Sequence, residues 1–246
     1  MSWISKLFGP PPQDADLSVL KTDVHSHLIS GIDDGATDLV DSINLIRGLQ
    51  ELGYTKLITT PHIMSDFYRN TPEIIRAGLD KIREELYKQS INIEIDTAAE
   101  YYCDGDFEKS IGQKELLSFG DRHVLFELSY LNPSDNFDTV TFKLQLEGYK
   151  PVLAHPERYP YWYQSFDKYS EIRDKGVLLQ LNLASLTGHY GSVPKRIAER
   201  LIENNMVDLL GSDMHKMSHL SIYKKALKEP LLRQLLDSGR LINSLL

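Results

Sequence analysis

Residues 22–38, TDVHSHLISGIDDGATD, run from a short strand-like segment into a polar loop, and an amphipathic segment follows at once. In that segment, residues 37–53 (TDLVDSINLIRGLQELG), Thr37 or Asp38 is suited to cap a helix and Gly53 to end it. The stretch is therefore one β-then-α unit, and the fold class depends on how often that unit recurs. Apolar side chains recur at helical spacing in the second segment, at Leu39, Ile43, Ile46 and Leu49.

The same order of elements recurs about seven times along the chain. Helix-like stretches, such as residues 71–89 (TPEIIRAGLDKIREELYKQ), separate short apolar runs. Regular alternation predicts an α/β fold of parallel strands joined by crossover helices, and seven units favour a closed or nearly closed barrel over two separate sheets. The predicted strand regions are residues 19–26, 56–62, 91–101, 123–130, 150–158, 177–185 and 207–215.

We expect a single domain over residues 20–246, because no linker-like stretch, repeat or low-complexity tract interrupts them. Residues 1–19 (MSWISKLFGPPPQDADLSV) are expected to form a loosely ordered leader. The alternative is a short segment that docks on a membrane surface or partner through Trp3, Ile4, Leu7 and Phe8, with Lys6. No run is long enough to cross a bilayer, so stable membrane insertion is not expected.

Composition excludes some functions. The 246 residues carry a net charge of −8, and no Lys/Arg cluster marks a basic patch, so nucleic acid is not an expected partner. Cys103 is the only cysteine, which excludes an intrachain disulfide and is compatible with a reducing cytoplasm, the location we expect. A cysteine phosphatase needs Arg six positions after its nucleophile, and Lys109 stands there instead.

Polar side chains gather where the predicted strands end. In a β/α barrel these ends share one mouth, where catalytic residues lie. A single histidine at such a place is more often structural, but six of the seven strand ends carry a histidine or carboxylate, which favours a site. The sixth strand region ends with Asn182 and offers no obvious ligand. The other ends carry His25 and His27, His62, Glu100, Glu127, His155 with Arg158, and Asp213 with His215.

The spacing of these residues indicates bound metal. Residues two apart on a strand point the same way, so His25 and His27 can grip one ion. Asp213 and His215 repeat that spacing on the last strand, which a barrel brings beside the first. Mixed nitrogen and oxygen donors suit Zn²⁺, Mn²⁺ or Fe²⁺ better than Ca²⁺, and so many candidate ligands imply two or three ions.

Six motifs, DVHSH, IDDGA, TTPH, AEYY, AHPER and GSDMH, resemble in order those of the polymerase and histidinol phosphatase (PHP) superfamily. They look most like its bacterial capsule and exopolysaccharide tyrosine phosphatases, over residues 21–215. The resemblance implies a distorted (β/α)7 barrel and three divalent ions, commonly manganese, with iron, zinc, cobalt or magnesium as alternatives. It implies a first ion held by His25, His27, Glu100 and Asp213, a second by Glu100, Glu127 and His155, and a third by His62, His215 and Asp34.

The resemblance also implies roles beyond metal binding. Arg158 would bind the substrate phosphate, because a guanidinium pairs with two oxygens at once. Asp34, favoured over Asp33 as the ligand, is the candidate general acid, with His219 the less favoured one; the alternative for Asp34 is helix capping. Relatives often place an arginine after the last metal-binding histidine. Here Lys216 and His219 are the nearest basic residues, which leaves a second phosphate clamp open.

The implied activity is that of a phosphoric monoester hydrolase. It is metal-dependent hydrolysis of phosphotyrosine by metal-activated hydroxide, on a tyrosine-phosphorylated protein such as a tyrosine autokinase of capsule or exopolysaccharide biosynthesis. A small-molecule phosphatase, for instance on histidinol phosphate, needs the same metals and is the first alternative. A non-catalytic regulatory module is the second. The sequence leaves the native metal, the partner protein and the oligomeric state open.

Two loop segments have open interpretations. Residues 158–163, RYPYWY, form either an aromatic wall that receives a substrate tyrosine or a loop that packs on the neighbouring helix. Residues 103–117, CDGDFEKSIGQKELL, are a candidate flap over the mouth of the site.

Overall fold

Nine parallel strands form the centre of the computed structural model, which describes residues 14–246. Every predicted strand region contains at least one of them. Two regions are split, and Pro61, which has no amide hydrogen to donate, separates the two strands of the first split. The strands are β1 (Thr22–Asp23), β2 (Lys56–Thr59), β3 (His62–Ile63), β4 (Glu94–Thr97), β5 (Glu100–Tyr102), β6 (His123–Glu127), β7 (Lys150–Ala154), β8 (Leu178–Asn182) and β9 (Leu209–Gly211).

Strand pairing follows chain order around a distorted barrel. One sheet has the order β1-β2-β4 and the other β3-β5-β6-β7-β8-β9. A parallel bridge between Ser26 and Met214 joins the first region to the last, and His27 N–H donates to the Met214 carbonyl at 2.9 Å. The predicted α/β barrel is therefore confirmed, and the carboxyl ends of its strands lie around one mouth.

Helices alternate with the strands and cover the barrel. The first helix begins as expected, because the Asp38 side chain accepts from Asp41 N–H. The second has Thr71 as its cap and Pro72 in its first turn. The helices are α1 (Leu39–Glu51), α2 (Pro72–Lys88), α3 (Gly105–Ser110), α4 (Phe137–Leu146), α5 (Asp167–Asp174), α6 (Ser192–Glu203), α7 (Ser218–Ala226) and α8 (Pro230–Asp237).

The last residues of the expected leader pack on the domain. Leu17–Leu20 is a 3-10 helix with Leu17 fully buried, and Ala15 N–H donates to the Leu227 carbonyl at 2.7 Å. Loose order therefore does not extend to this part of the leader, because burial and hydrogen bonding fix it. The proposed docking residues, Trp3 to Phe8, lie outside the described residues. Across residues 14–246, no helix combines the length and apolar character that a membrane crossing requires.

Candidate metal centre

The barrel mouth opens into a cavity of about 710 Å³, where residues from distant parts of the sequence meet. His25 and His27 lie beneath it and are fully buried. His155 and Asp213 have positive backbone φ angles, 35° and 55°, a conformation that costs free energy in a non-glycine residue and concentrates at functional sites. The remaining predicted site residues line the cavity: Asp34, His62, Glu100, Glu127, His155, Arg158, Asp213, His215 and His219.

The first cluster of donors comes from the segments that directly follow β1 and β9. One donor atom from each of His25, His27 and Asp213 lies within 4.8 Å of the others. His25 Nε2 is 3.4 Å from Asp213 Oδ1, and His27 Nε2 is 3.6 Å from the same oxygen. The i, i+2 spacing therefore brings both imidazoles to one carboxylate, as the sequence predicted.

Glu100 is the central carboxylate of the site. Its Oε2 lies 3.1 Å from His25 Nε2 and 3.2 Å from His62 Nδ1, and its Oε1 lies 3.0 Å from His155 Nε2. Burial raises the pKa of Glu100, but the imidazoles of His25 and His62 outweigh it and hold that pKa well below its usual range. Glu100 is thus an ionised carboxylate with each oxygen facing a different group of donors.

Another cluster surrounds Asp34. Its Oδ1 lies 3.5 Å from His62 Nε2 and 3.3 Å from His215 Nε2, and His27 completes a group of four donors within 4.8 Å. Burial raises the pKa of Asp34, but hydrogen bonds from His215 and His62 outweigh it and lower that pKa. Asp34 therefore points into the site rather than capping α1, whose cap is Asp38.

Asp33 has a different place from its neighbour. Its Oδ2 lies 2.9 Å from His27 Nδ1 and accepts from His62 N–H at 3.1 Å, and its Oδ1 accepts from Gly35 N–H at 3.0 Å. A Cβ on Gly35 would lie 2.2 Å from the His27 carbonyl oxygen, so only glycine lets this loop approach. Asp33 therefore contacts His27 through Nδ1, the ring nitrogen that does not belong to the first donor cluster, whereas the Asp34 carboxylate faces the donors.

The donor set fits divalent transition metals. Among residues 14–246 there are four overlapping groups of three or four histidine and carboxylate donors, and mixed imidazole and carboxylate donors suit Zn²⁺, Mn²⁺ or Fe²⁺. His62 Nδ1 is buried without a hydrogen-bond partner in the structure, although Glu100 and Glu127 oxygens lie 3.2 and 3.3 Å away. A buried nitrogen that faces two carboxylates without a well-formed hydrogen bond is placed to ligate an ion.

Arg158 stands over this donor cluster. Its Nη1 donates to Asp213 Oδ2 at 3.0 Å, and its guanidinium lies 4.8 Å from the Tyr130 ring centroid and 4.2 Å from that of Tyr190. These contacts hold the guanidinium in place. The side chain is 23% exposed, so the guanidinium also reaches the cavity. Sequence reasoning missed both tyrosines, although Tyr130 is the last residue of the predicted strand region 123–130 and Tyr190 lies in the loop after the region 177–185.

His219 and Lys216 lie at the rim of the cavity. Burial, together with the charge of His215, lowers the pKa of His219 to about 4. The imidazole is therefore neutral at pH 7 and is a weaker proton donor than the role of general acid requires. Lys216, the nearest basic residue after His215 in the sequence, also lines the cavity.

The two loop segments pack on the barrel instead of covering its mouth. Tyr159 is fully buried and donates to the Ala154 carbonyl, and Tyr161 donates to the Ser129 carbonyl, so RYPYWY is a packed loop apart from Arg158. In residues 103–117, Phe107 stacks on Tyr101 with ring centroids 4.6 Å apart. No residue of this segment lines the metal cavity, because α3 packs beside β5, whereas Tyr102, which directly precedes the segment, does line it.

Comparisons with known proteins agree with this arrangement. Residues 21–226 match the family model described as capsular polysaccharide synthesis, CpsB/CapC. The tyrosine-protein phosphatase YwqE of Bacillus subtilis is 31% identical over 196 residues, covering 79% of this chain and 77% of that protein. The putative tyrosine-protein phosphatase CapC of Staphylococcus aureus is 26% identical over 210 residues, covering 83% and 81%.

A solved structure agrees as well. It comes from a crystallographic study of YwqE from B. subtilis and CpsB from Streptococcus pneumoniae, described there as metal-dependent tyrosine phosphatases. It superposes with a TM-score of 0.80 at 28% identity, covering 91% of this chain and 94% of that one. The family match, over residues 21–226, includes every predicted site residue. The chain therefore belongs to the CpsB/CapC family.

Proposed function

We propose that this protein is a metal-dependent phosphatase that hydrolyses phosphotyrosine in a protein substrate. One observation carries the proposal: four overlapping groups of metal donors lie beneath a guanidinium in a single open cavity. Its relatives are named tyrosine-protein phosphatases. The convergence of the donors in one cavity argues against a non-catalytic module, which would have no use for ligands at six strand ends.

The donor groups support a set of three sites. In our proposal His25, His27 and Asp213, which form one close group, hold the first ion with Glu100. Glu100, Glu127 and His155 hold the second, with His155 Nε2 3.0 Å from Glu100 and 3.9 Å from Glu127, and His62 Nδ1 also faces these two carboxylates. Asp34, His62 and His215, which group with His27, hold the third. Divalent ions bound there, for which manganese is our proposal, supply the Lewis acidity that activates water and neutralises phosphoryl charge. Asp34 is ionised at neutral pH, which favours the role of ligand over that of general acid.

Arg158 is the residue that we expect to bind the phosphate. Two of its neighbours, Tyr130 and Tyr190, hold the guanidinium by their ring faces, and Asp213 holds it by one nitrogen. The rest of the fork remains available for paired hydrogen bonds to phosphate oxygens. A tyrosine phenolate has a pKa near 10 and leaves more readily than an alkoxide, so the reaction depends less on a strong general acid.

The rim of the cavity favours a protein substrate over a small phosphomonoester. Phe67 and Leu131 both line it, and their exposed fractions are 73% and 86%. Exposed apolar side chains beside a polar site are suited to contact residues that flank a phosphotyrosine. The partner that we propose is a tyrosine autokinase of polysaccharide synthesis in the cytoplasm, and the family's description as capsular polysaccharide synthesis supports the link to that process.

The test combines metal analysis with a choice of substrates. We expect purified protein to contain bound transition metal by mass spectrometry and to hydrolyse a phosphotyrosyl peptide faster than histidinol phosphate. The double substitution His25→Ala and His27→Ala should remove metal and activity, whereas Glu203→Gln, at an exposed helix position, should change neither. Equal or greater turnover of histidinol phosphate would contradict the proposed substrate class, and an active, metal-free protein would contradict the proposed chemistry.

A further inference from the structure

Of the seven predicted strand regions, the one that contains β8 alone offered no obvious metal ligand, yet it carries two fully buried amides. Gln180 and Asn182 are both 0% exposed. They are two residues apart on the strand, so both side chains lie on the same face, toward the metal centre. Buried amides need hydrogen-bond partners, and the identity of these partners is informative.

The orientation of the Gln180 amide follows from its surroundings. Gln180 Nε2 donates to the Leu181 carbonyl at 2.8 Å and to Asn182 Oδ1 at 2.9 Å. A backbone carbonyl only accepts, so the nitrogen must face it and the oxygen must face the other way. That oxygen lies 2.7 Å from His25 Nδ1. His25 therefore carries its hydrogen on Nδ1, and Nε2 is the nitrogen left to face Glu100 and Asp213.

The orientation of the Asn182 amide also follows from its hydrogen bonds, in this case the one that its nitrogen donates. Its Nδ2 donates to Asp213 Oδ2 at 2.6 Å, and Arg158 Nη1 donates to the same oxygen at 3.0 Å. Asp213 Oδ1 accepts neither of these donors and instead lies 3.4 Å from His25 Nε2 and 3.4 Å from His215 Nδ1. One carboxylate oxygen is occupied by protein donors, which leaves the other for an ion.

Gly211 on the neighbouring strand leaves room for this chain of amides. It pairs with Asn182 in the β8–β9 ladder. A Cβ at Gly211 would lie 2.6 Å from Gln180 Nε2 and 2.7 Å from the His25 Cβ. Both distances are too short for a side chain, so the approach of Gln180 to His25 requires glycine here.

We propose that Gln180 and Asn182 are positioning residues for the metal centre. Gln180 selects the His25 nitrogen that binds the ion, and Asn182 selects the Asp213 oxygen that binds it. Their coupling through one hydrogen bond fixes two ligands from opposite ends of the chain together. Amides do this without adding charge to a site that already holds Asp33, Asp34, Glu100, Glu127 and Asp213. The inference rests on the proposed assignment of His25 and Asp213 as ligands.

Two substitutions in the full chain test the proposal through Mn²⁺ affinity. Gln180→Met keeps the length of the side chain and removes its polar atoms, and Asn182→Asp keeps its shape but opposes one carboxylate to another. We expect each to weaken Mn²⁺ binding, titrated by electron paramagnetic resonance, by about 10- to 100-fold, as is typical when the orienting partner of a ligand is lost. The exposed residues Gln113 and Asn44 provide matched controls, Gln113→Met and Asn44→Asp, which should bind as the wild type does.

A measurement on the unaltered protein covers the case in which a variant fails to fold. Nitrogen-15 NMR of the histidine side chains should find His25 protonated on Nδ1 in the metal-free protein and still so after Mn²⁺ is replaced by diamagnetic Zn²⁺. Wild-type Mn²⁺ affinity in both variants, or a neutral His25 with its proton on Nε2, would overturn the proposal. Wild-type protein that binds no metal would instead overturn the proposed function, so the two failures are distinguishable.

Discussion

Asp33 Oδ2 lies 2.9 Å from His27 Nδ1, on the side of the imidazole away from the metal-facing nitrogen. The carboxylate of its neighbour Asp34 instead faces His62 Nε2 and His215 Nε2. We propose that these adjacent carboxylates of the IDDGA motif have different tasks, Asp33 as the orienting partner of a ligand and Asp34 as a ligand.

This difference predicts unequal effects of two matched substitutions. Asp34→Asn should lower the bound metal by about one ion per chain and reduce phosphotyrosine turnover by more than about 100-fold, because a ligand is lost. Asp33→Asn should keep the number of ions and weaken their affinity by about 10-fold, as loss of an orienting partner does. Metal analysis with steady-state kinetics measures both. Equal metal loss in the two variants would contradict the division of roles.

The sequence alone could predict the barrel and the candidate ligands that meet at its mouth, because both depend on local patterns. Alternation of apolar runs indicates parallel strands, and the i, i+2 spacing of His25 and His27 places two donors on one face without any knowledge of the third dimension. That rule cannot reveal which residue hydrogen-bonds to the other side of a candidate ligand. Gln180 reaches His25 across 155 residues of chain, and nothing in LLQLN distinguishes its amide from an ordinary buried polar group.

The aromatic residues likewise show that the sequence alone does not reveal which side chains contact the site. The aromatic segment RYPYWY is conspicuous in the sequence, yet its Tyr159 is fully buried in the protein core. Tyr130 and Tyr190, which hold Arg158, stand singly in polar loops, and only the convergence of those loops at the mouth gives them a role. The amino-acid composition of a segment indicates that its aromatic side chains can be buried. Which residues those side chains contact depends on where the other loops lie, and the sequence does not show this.

Arg158 should be sensitive to a change that keeps its charge. Arg158→Lys retains a cation but loses the planar fork and its contact with the Tyr130 and Tyr190 rings. Loss of one charge-assisted hydrogen bond costs about 2 kcal/mol, which corresponds to a decrease of about 30-fold in kcat/KM. Lys216→Arg, in the same cavity, is the comparison, because it adds a guanidinium to the cavity and leaves Arg158 in place. Wild-type kcat/KM in Arg158→Lys would show that phosphate is bound elsewhere.

The apolar rim should matter for proteins and not for small esters. The double substitution Phe67→Ser and Leu131→Ser removes the two most exposed apolar side chains of the cavity. We expect kcat/KM for a phosphotyrosyl peptide to fall about 10-fold, equivalent to the loss of roughly 1.4 kcal/mol of apolar contact, while p-nitrophenyl phosphate is hydrolysed as before. Tyr87→Ser, at an equally exposed site on α2, is the control. A parallel loss on both substrates would indicate damage to the centre itself.

Cys103 should be unreactive in the folded protein. Burial raises the pKa of its thiol to about 11, from an ordinary value of 9.0. At pH 8 this leaves about 100-fold less thiolate than an unperturbed cysteine has, since each pKa unit changes the fraction tenfold. Alkylation by iodoacetamide should therefore be slow at pH 8, accelerate as the pH rises towards 11, and become fast in denaturant. Rapid modification of the native protein at pH 8 would contradict the buried environment.

Gly35 should tolerate no side chain, although its backbone has no positive φ angle. A Cβ there would lie 2.2 Å from the His27 carbonyl oxygen and 2.4 Å from the His27 Cβ, and neither atom can move without displacing β1's continuation and its ligands. Gly35→Ala should therefore lower the metal content. It should also lower the free energy of unfolding by about 2 kcal/mol or more, because the position is tightly packed. Gly105→Ala is the matched control, because nothing lies within 4 Å of a Cβ at that site. Its position in the first turn of α3 should make alanine neutral or stabilising by up to about 1 kcal/mol. Thermal unfolding with metal analysis of the two variants compares them directly, and equal stability would mean that the loop can withdraw from His27 at no cost.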